Sequence, residues 1–146
     1  MAETPLTGGG RTPVSRAGDV VYRAAGPWSK TVHAFLRHLE AEGYAAAPRV
    51  IGSGFDDQGR ETLSYVDGEV TLPHTWAAGA MPHLGRMLRD LHEASSTFRP
   101  PADATWRPWH GRQLGDAKAG FGHGDAAPWN VITRAGIPCA LIDWEV

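Results

Sequence analysis

The sequence predicts an α+β fold with two lobes, and two observations predict it. Before Asp67, short extended segments and one helical segment follow each other in the order strand, strand, helix, strand, strand. After Asp67, a long helical segment is followed by an irregular stretch and by two terminal strands. A strand-rich part followed by a part led by a long helix is typical of an α+β arrangement. We therefore expect an N-terminal lobe over residues 12–66 and a C-terminal lobe over residues 74–146.

The N-terminal lobe is preceded by a polar tail. Residues 1–11 are small, polar and rich in Gly, so we expect them to form a disordered tail. Two strand-like runs follow at residues 12–17 and 20–24. The intervening Gly18-Asp19 predicts a tight hairpin turn, so the two runs should pair with each other.

One helix and two further strands complete the N-terminal lobe. Ser29 is a good N-cap, and Gly43 suits the end of the helix. Apolar residues recur between them at helical spacing, namely Val32, Phe35, Leu36 and Leu39. Beyond the helix, extended segments over residues 48–55 and 61–66 flank the turn at residues 56–59. The lobe should therefore contain about four strands and one helix.

The C-terminal lobe is expected to begin after a hinge at residues 67–73, which open with Asp-Gly-Glu and break the strand pattern. A helix over about residues 75–95 follows. Its apolar stripe comprises Ala77, Ala80, Leu84, Met87, Leu88 and Leu91. Residues 97–118 are rich in Pro, Trp and Arg and predict an irregular connection. Two strands around the turn at residues 134–136 close the lobe, and the second strand is expected to end at Asp143.

The composition excludes several classes of function. The chain has 146 residues and a formal net charge of −2, which gives no electrostatic footprint for nucleic acid. Cys139 is the single cysteine, so no internal disulfide can form, and we expect it to be a small buried hydrophobe. No apolar run is long enough to span a membrane, and the N-terminus lacks the apolar core of a signal peptide. We therefore expect no nucleic-acid or membrane partner, and a cytoplasmic location by default.

The most informative residues lie near the end of the chain. His123-Gly124-Asp125 precedes Asn130, and Asp143 follows an apolar segment about a dozen residues later. An acid, then an amide, then a second acid on the next strand is the layout of a phosphoryl-transfer site. Asp125 can orient or deprotonate an acceptor hydroxyl, whereas Asn130 and Asp143 offer hard oxygen ligands for Mg²⁺. We expect His123 to hold the loop through hydrogen bonds rather than to act as a catalyst.

The two motifs, HGDAAPWN followed by IDWE, resemble those of the aminoglycoside phosphotransferase family. They have the family's order and spacing, which makes the resemblance fairly specific, and the resemblance extends over about residues 12–145. It implies a protein-kinase-like two-lobe fold and ATP-dependent transfer of the γ-phosphate to a hydroxyl of a small molecule, with ATP and Mg²⁺ as cofactors. It also implies that Asp125 is the catalytic residue and that Asn130 and Asp143 are the metal ligands.

Kinase-like folds also place a cation on the phosphates and pair it with an acid on the first helix. Arg23 closes the second strand and is the candidate for that cation. The kinase pattern has Lys there, but Arg keeps the charge and can bind phosphate oxygens in a bidentate way. Glu40, one helical turn after Leu36, is the candidate partner on the helix. The alternative for Glu40 is a side chain that is simply solvated.

The resemblance also implies that the C-terminal lobe is incomplete. Members of the family continue beyond the IDW strand with helices that form much of the acceptor pocket, so the helix at residues 75–95 should expose apolar surface here. Three alternatives stay open: a fragment or truncated gene product, a chain completed by a missing C-terminal segment or second polypeptide, and a degenerate member that binds nucleotide at most and lacks catalysis. The acceptor and the choice between ATP and GTP also stay open.

Overall fold

The computed structural model describes residues 1–6, 12–70, 75–108 and 120–145. Within these ranges, eight strands and two α-helices form two antiparallel sheets with helices packed against them. In chain order the elements are β1 (Thr4–Leu6), β2 (Val14–Ala17), β3 (Val20–Arg23), α1 (Ser29–Ala41), β4 (Val50–Phe55), β5 (Glu61–Ser64), β6 (Glu69–Val70), α2 (Ala80–Ser95), β7 (Val131–Arg134) and β8 (Ile137–Leu141). This mixture agrees with the predicted combination of helices and antiparallel sheet, whereas the division into two lobes stays a prediction.

The larger sheet has the strand order β1-β2-β3-β5-β4, and all its neighbouring strands are antiparallel. Gly18 and Asp19 form the tight turn between β2 and β3, and the φ of Gly18 is 58°, which glycine adopts without steric cost. The predicted pairing of the two runs is confirmed by β2 and β3, and β3 also pairs with β5. In that pair Arg23 lies directly opposite Glu61, so two opposite charges meet at one end of the sheet.

The predicted disordered tail is wrong for residues Thr4–Leu6, which form the edge strand β1 beside β2. Glu3 accepts hydrogen bonds from Arg60 at 2.8 and 2.9 Å and from Ser15 at 2.7 Å. These bonds lower the pKa of Glu3 to about 2. Small polar residues carry little strand pattern of their own, so the backbone ladder and the charge pairs hold a strand that periodicity does not predict. Residues 7–11 of the expected tail lie outside the described residues.

The predicted first helix is confirmed as α1, although its N-cap is Trp28 rather than Ser29. Ser29 Oγ instead accepts a hydrogen bond from the Gly26 amide at 2.9 Å. The predicted apolar stripe is fully buried and comprises Val32, Phe35, Leu36 and Leu39. Burial of one such side chain contributes about 1.5–3 kcal/mol. The helix therefore fixes the core side of the larger sheet, where it packs against β4.

Helix α2 begins at Ala80, after Gly79 with its φ of 84°, and not near residue 75 as expected. It packs against β8 of the smaller sheet, whose strand order is β6-β7-β8. The short strand β6 lies inside the expected hinge and pairs with β7. The expected exposed apolar stripe is not seen on α2, because Ala80, Met87 and Leu91 are buried and Leu84 and Leu88 are half-buried. Met81, which is 63 % exposed, lies outside that stripe. No helix in the described ranges combines the length and the apolar character that a membrane crossing needs.

The core joins the two sheets near the end of the chain. The Leu141 amide donates a hydrogen bond to the carbonyl oxygen of Ala46 at 2.9 Å. Trp144 is fully buried, and its ring centroid lies 5.9 Å from that of Phe35. Strand β8 ends at Leu141 and not at Asp143 as expected, so Asp143 belongs to the segment that runs from the sheet into the core. The expected irregular connection is seen up to residue 108, and its remainder lies outside the described residues.

Candidate functional site

The loop that carries the HGD motif is anchored by His123. Its side chain is buried, and its ring packs edge-on against Trp144 with centroids 4.5 Å apart. Nε2 donates a hydrogen bond to the Ile142 carbonyl at 2.7 Å, and Nδ1 accepts one from the Asp125 amide at 3.3 Å. Burial lowers the pKa of His123, which favours the neutral ring. A neutral imidazole satisfies both contacts at once, and this agrees with the expected role of holding the loop.

Asp125 and Asn130 are brought into direct contact by a tight turn. The chain forms a 3-10 turn over Pro128–Asn130, with the Asn130 amide bonded to the Ala127 carbonyl at 2.8 Å. Asn130 Nδ2 then donates to both the carbonyl oxygen and Oδ2 of Asp125, at 2.9 and 3.1 Å. Asn130 is buried, whereas Asp125 is exposed. The buried amide therefore fixes a carboxylate that remains accessible from solvent.

Asp143 is held beside the loop through its neighbour Ile142. The Ile142 amide donates to the Asn130 carbonyl at 2.9 Å, so the end of β8 is bonded to the end of the 3-10 turn. Asp143 itself has a φ of 63°, a left-handed conformation that costs a residue other than glycine about 1–3 kcal/mol. Its side chain is 54 % exposed, while the next residue, Trp144, is completely buried. The strained residue thus lets one side chain face solvent and the next enter the core.

Arg23 connects the larger sheet to this segment. Its guanidinium donates from Nη1 to Asp143 Oδ1 at 3.1 Å and from Nη2 to the Trp144 carbonyl at 2.7 Å. Its Nε donates to Glu61 Oε2 at 2.5 Å. Each terminal nitrogen keeps a further N–H, because a guanidinium carries two hydrogens on each. Arg23 therefore places a positive charge next to Asp143, and one N–H on each terminal nitrogen is not used in these contacts.

On its other side Arg23 contacts the buried carboxylate of Glu61, and that carboxylate lies beside a histidine, His33. Glu61 Oε1 lies 3.0 Å from His33 Nε2, without the alignment of a hydrogen bond. Burial alone raises the pKa of Glu61, but the contact with His33 and the charge of Arg23 outweigh burial and hold that pKa below its ordinary value. Glu61 is therefore charged at neutral pH, and Arg23 is paired with it inside the protein.

The expected pairing of Arg23 with Glu40 is not formed, and this part of the prediction is wrong. Glu40 is exposed near the end of α1 and lies 3.8 Å from Arg49. Arg23 pairs instead with Glu61, whose other carboxylate oxygen lies 3.0 Å from His33 in the first half of α1. The acid that pairs with Arg23 comes from β5 and not from the helix, since the antiparallel register already places Glu61 opposite Arg23.

The oxygen donors of the HGD loop and of the segment after β8 fit Mg²⁺ by their chemistry. Asp125 and Asp143 offer carboxylates, and Asn130 offers its Oδ1, because Nδ2 is the atom bonded to Asp125. Mg²⁺ in proteins is commonly held by one or two carboxylates together with phosphate and water oxygens. Across residues 1–6, 12–70, 75–108 and 120–145, no three His, Cys, Asp or Glu side chains are arranged to hold a metal alone. A magnesium ion at this loop would therefore need Asn130 and the phosphates of a bound nucleotide.

Sequence reasoning missed Glu61 and His33. The missed signal is the strand register: once β3 and β5 are paired as neighbours, cross-strand alignment puts Arg23 opposite Glu61. His33 carries a weaker signal, because it adjoins Val32 in the apolar stripe of α1 and is itself buried. A polar residue next to such a stripe is buried only when it has a partner nearby, and here the partner is Glu61.

The chain is similar to known proteins in sequence and in fold. The chain is 56 % identical over 144 residues to a trifolitoxin immunity protein from Rhizobium leguminosarum bv. trifolii, covering 99 % of this chain and 55 % of that protein. The crystal structure of a choline/ethanolamine kinase family protein from Mesorhizobium loti matches with a TM-score of 0.62 and 18 % identity, covering 99 % of this chain and 58 % of that one. At this identity the second match shows a shared fold. The chain spans little more than half the length of either protein.

A model of the phosphotransferase enzyme family, APH, matches residues 29–120. The match covers more than half of the 146 residues and begins at the first residue of α1. It ends before the loop with the HGD motif, so the family is recognised from the helices and strands that precede the candidate site. The fold match and the family match agree with the resemblance of the two terminal motifs. The chain belongs to the phosphotransferase enzyme family.

Proposed function

We propose that this chain carries the nucleotide and metal site of an ATP-dependent phosphotransferase, which moves the γ-phosphate of ATP to a hydroxyl of a small molecule. The observation that supports this most is the bonded pair of Asn130 and Asp125, with Asp143 attached through the Ile142 amide. Family membership supplies the reaction type. An acid and an amide on one short loop, with a second acid on the segment after β8, supply the groups that such a reaction uses.

Asp125 is proposed to orient the acceptor hydroxyl and to accept its proton as the phosphoryl group is transferred. Its carboxylate is exposed, so an acceptor can reach it, and the amide of Asn130 fixes its direction. Most of the rate of a phosphoryl transfer comes from positioning and charge stabilisation rather than from covalent chemistry. A fixed and accessible carboxylate is suited to that task.

Asn130 Oδ1 and the Asp143 carboxylate are proposed to hold Mg²⁺. When bound, the ion would supply positive charge to the phosphate oxygens. Arg23 lies beside Asp143 and keeps further N–H donors, so it is proposed to share the binding of the phosphates. Its charge also offsets that of Asp143 before any ligand arrives.

Binding of nucleotide without transfer is the second candidate function. In this candidate the chain binds the nucleotide, and the acceptor pocket belongs to residues outside the 55 % and 58 % of the two similar proteins that the chain spans. An acceptor pocket built by residues outside that share would have to come from a further segment or a second chain. Effective molarities of about 10⁵ M or more depend on a positioned acceptor and vanish without it. Nucleotide binding depends less on such residues and can persist alone.

The name of the rhizobial relative suggests one acceptor for direct testing. That relative is called a trifolitoxin immunity protein, so the toxin in its name is one candidate acceptor for the proposed reaction. Trifolitoxin therefore belongs in an acceptor panel together with hydroxylated amines. Both ATP and GTP belong in the donor set.

The test is calorimetry with Mg-ATP and Mg-GTP, run beside a coupled assay of ADP or GDP release with each acceptor. Acceptor-dependent release by the 146-residue chain supports the phosphotransferase proposal. Binding without release supports the second candidate. Absence of both from a folded chain, as judged by circular dichroism, would overturn both candidates.

A further inference from the structure

On its inner side Arg23 contacts Glu61, and Glu61 in turn contacts His33, which comes from a different element. Arg23 ends β3, Glu61 begins β5 and His33 lies on α1, and their exposed fractions are only 8 %, 2 % and 4 %. None of these three was expected to act with the other two. A buried charge is tolerated only when its partners are close, so this grouping is a specific arrangement.

The guanidinium of Arg23 uses different atoms for its two sides. Nε contacts Glu61 Oε2, whereas Nη1 and Nη2 contact Asp143 Oδ1 and the Trp144 carbonyl. Because a guanidinium is rigid and planar, a carboxylate that fixes Nε also fixes the direction of both terminal nitrogens. The geometry of Arg23 toward Asp143 therefore depends on the position of Glu61.

Glu61 is itself held by His33, and His33 has little freedom to turn. Nε2 of His33 is 3.0 Å from Glu61 Oε1, so both oxygens of the carboxylate have a close neighbour. On the opposite side of the ring, a Cβ added at Gly54 would lie 2.4 Å from Nδ1. The Phe55 ring lies 4.8 Å from the imidazole between centroids. Gly54 and Phe55 therefore pack against the imidazole ring of His33 and limit its rotation.

We propose that Glu61 and His33 form a positioning pair that orients Arg23 toward Asp143 and toward the phosphates of a bound nucleotide. The inference rests on the proposed function, in which Asp143 binds the metal and Arg23 the phosphates. The role expected of an acid on the first helix is thereby divided between an acid on β5 and a histidine on α1. Neither residue touches the nucleotide, and both act through Arg23.

A purely structural role for the same cluster predicts a different set of results. In that case, removing Glu61 lowers the stability of the fold but leaves the guanidinium of Arg23 equally ordered in the molecules that remain folded. A positioning role predicts that Arg23 loses its fixed orientation in folded protein. The two roles are therefore separated by a spectroscopic signal of Arg23 and not by stability.

The experiment compares Glu61→Gln and Glu61→Asp with Glu93→Gln in the full chain. Glu93 pairs with Arg89 on the exposed face of α2 at 2.6 Å, so it is a control with the same charge change and a similar contact. Nitrogen NMR follows the Arg23 guanidinium, identified by its loss in Arg23→Lys, and calorimetry follows Mg-ATP binding. His33→Gln, which keeps a donor, is compared with His33→Leu, which removes it.

We expect Glu61→Gln to abolish the slow-rotating guanidinium signal of Arg23 and to weaken Mg-ATP binding about 10- to 100-fold, as changes in supporting residues of metal sites do. Glu61→Asp and His33→Gln should lie between this variant and the wild type, and Glu93→Gln should equal the wild type. Since Glu61→Asp retains the charge, it keeps the test open if Glu61→Gln does not fold.

An ordered Arg23 signal in folded Glu61→Gln or Glu61→Asp, with Mg-ATP affinity unchanged, would overturn the positioning pair. If the wild-type chain binds no Mg-nucleotide but Arg23 becomes mobile in the Glu61 variants, the proposed function is overturned. The same result would still support Glu61 as a positioning residue for Arg23. If His33→Gln and His33→Leu both have the Arg23 signal and the Mg-ATP affinity of the wild type, His33 has no positioning role.

Discussion

The two acids that contact Arg23 lie in opposite surroundings. The side chain of Glu61 is 3 % exposed and the side chain of Asp143 is 54 % exposed, although both accept hydrogen bonds from the same guanidinium. Glu61 is enclosed by β3, β5 and α1, while Asp143 lies on a segment between β8 and the buried Trp144. One acid is part of the interior, and the other is part of an accessible surface.

This difference teaches which acid is available to a ligand. A buried carboxylate paired with a cation cannot exchange its partner without leaving a charge uncompensated inside the protein. An exposed carboxylate loses little when a metal ion replaces part of its contact with Arg23. The buried side should therefore determine geometry and stability, and the exposed side should determine chemistry. Four predictions test this division.

The largest effect is expected for Asp125→Asn on the exposed side. Loss of the carboxylate should reduce phosphoryl transfer by about 10²–10⁴, the usual contribution of a general base. Mg-ATP binding and the melting temperature should change little, because the new amide can still accept a hydrogen bond from Asn130 with its oxygen. Coupled nucleotide release and calorimetry measure the two quantities. Equal losses in transfer and in Mg-ATP binding would instead place Asp125 among the metal ligands.

Asp143→Ala and Asp143→Gly should both abolish Mg²⁺-dependent nucleotide binding, since each removes the carboxylate. The glycine variant should have a free energy of unfolding about 1 kcal/mol higher than the alanine variant, because glycine adopts a φ of 63° without strain. Calorimetry with and without Mg²⁺ and thermal unfolding measure the two properties. Ala135→Gly is the matched control, since Ala135 also has a positive φ, 50°, and lies in the β7–β8 turn. Retention of Mg²⁺-dependent binding by both Asp143 variants would exclude Asp143 as a ligand.

Glu61→Ala should lower the free energy of unfolding by about 3–5 kcal/mol, because it leaves a buried Arg23 without its partner. Glu93→Ala on α2 removes an exposed partner of Arg89 and should cost about 0.3–0.5 kcal/mol. Urea denaturation followed by circular dichroism measures both values. Similar losses of unfolding free energy in the two variants would show that the buried pair contributes no more than the exposed one. That result would contradict the proposed difference between the buried and the exposed acid.

The smallest effect is expected from Glu3, which holds β1 at the sheet edge. Its pKa is about 2 in the folded chain and 4.5 as an ordinary glutamate, so its contribution is present above pH 4.5 and is lost as the pH falls toward 2. The lowered pKa of Glu61 acts in the same direction. Glu3→Gln should therefore flatten the acid side of the stability profile slightly. Melting temperatures measured between pH 5 and pH 2, with Glu69→Gln as a control, test this sign. A steeper profile in Glu3→Gln would contradict it.

Local patterns in the sequence predicted the parts of the fold that local physics determines. The stripe from Val32 to Leu39 predicted α1, and Gly18-Asp19 predicted the hairpin of β2 and β3. The HGDAAPWN motif placed Asp125 and Asn130 on one short loop, where a tight turn brings them into contact. In each case the relevant residues are neighbours along the chain.

Features that depend on distant residues were not predicted. The partner of Arg23 depends on β3 lying beside β5, which no local pattern specifies. The strand β1 depends on β2 and on Arg60, far along the chain from Glu3. The candidate site could therefore be located from the sequence. The residues that support it could be identified only once the pairing of the strands was known.

Because Asp143 and Trp144 are neighbours in the chain, Asp143 reaches the candidate site only when the protein folds and Trp144 enters the core. Trp144 reaches its position only when the core around Phe35 has closed, and Asp143 is then the next residue outward. An unfolded chain has the same amino acids but no fixed distance between Asp143 and Asn130. A ligand that needs both must bind the native state alone, so its concentration should raise the unfolding temperature by mass action. The melting temperature of this protein should therefore report ligand binding, and candidate ligands can be screened by the increase in melting temperature that each one causes.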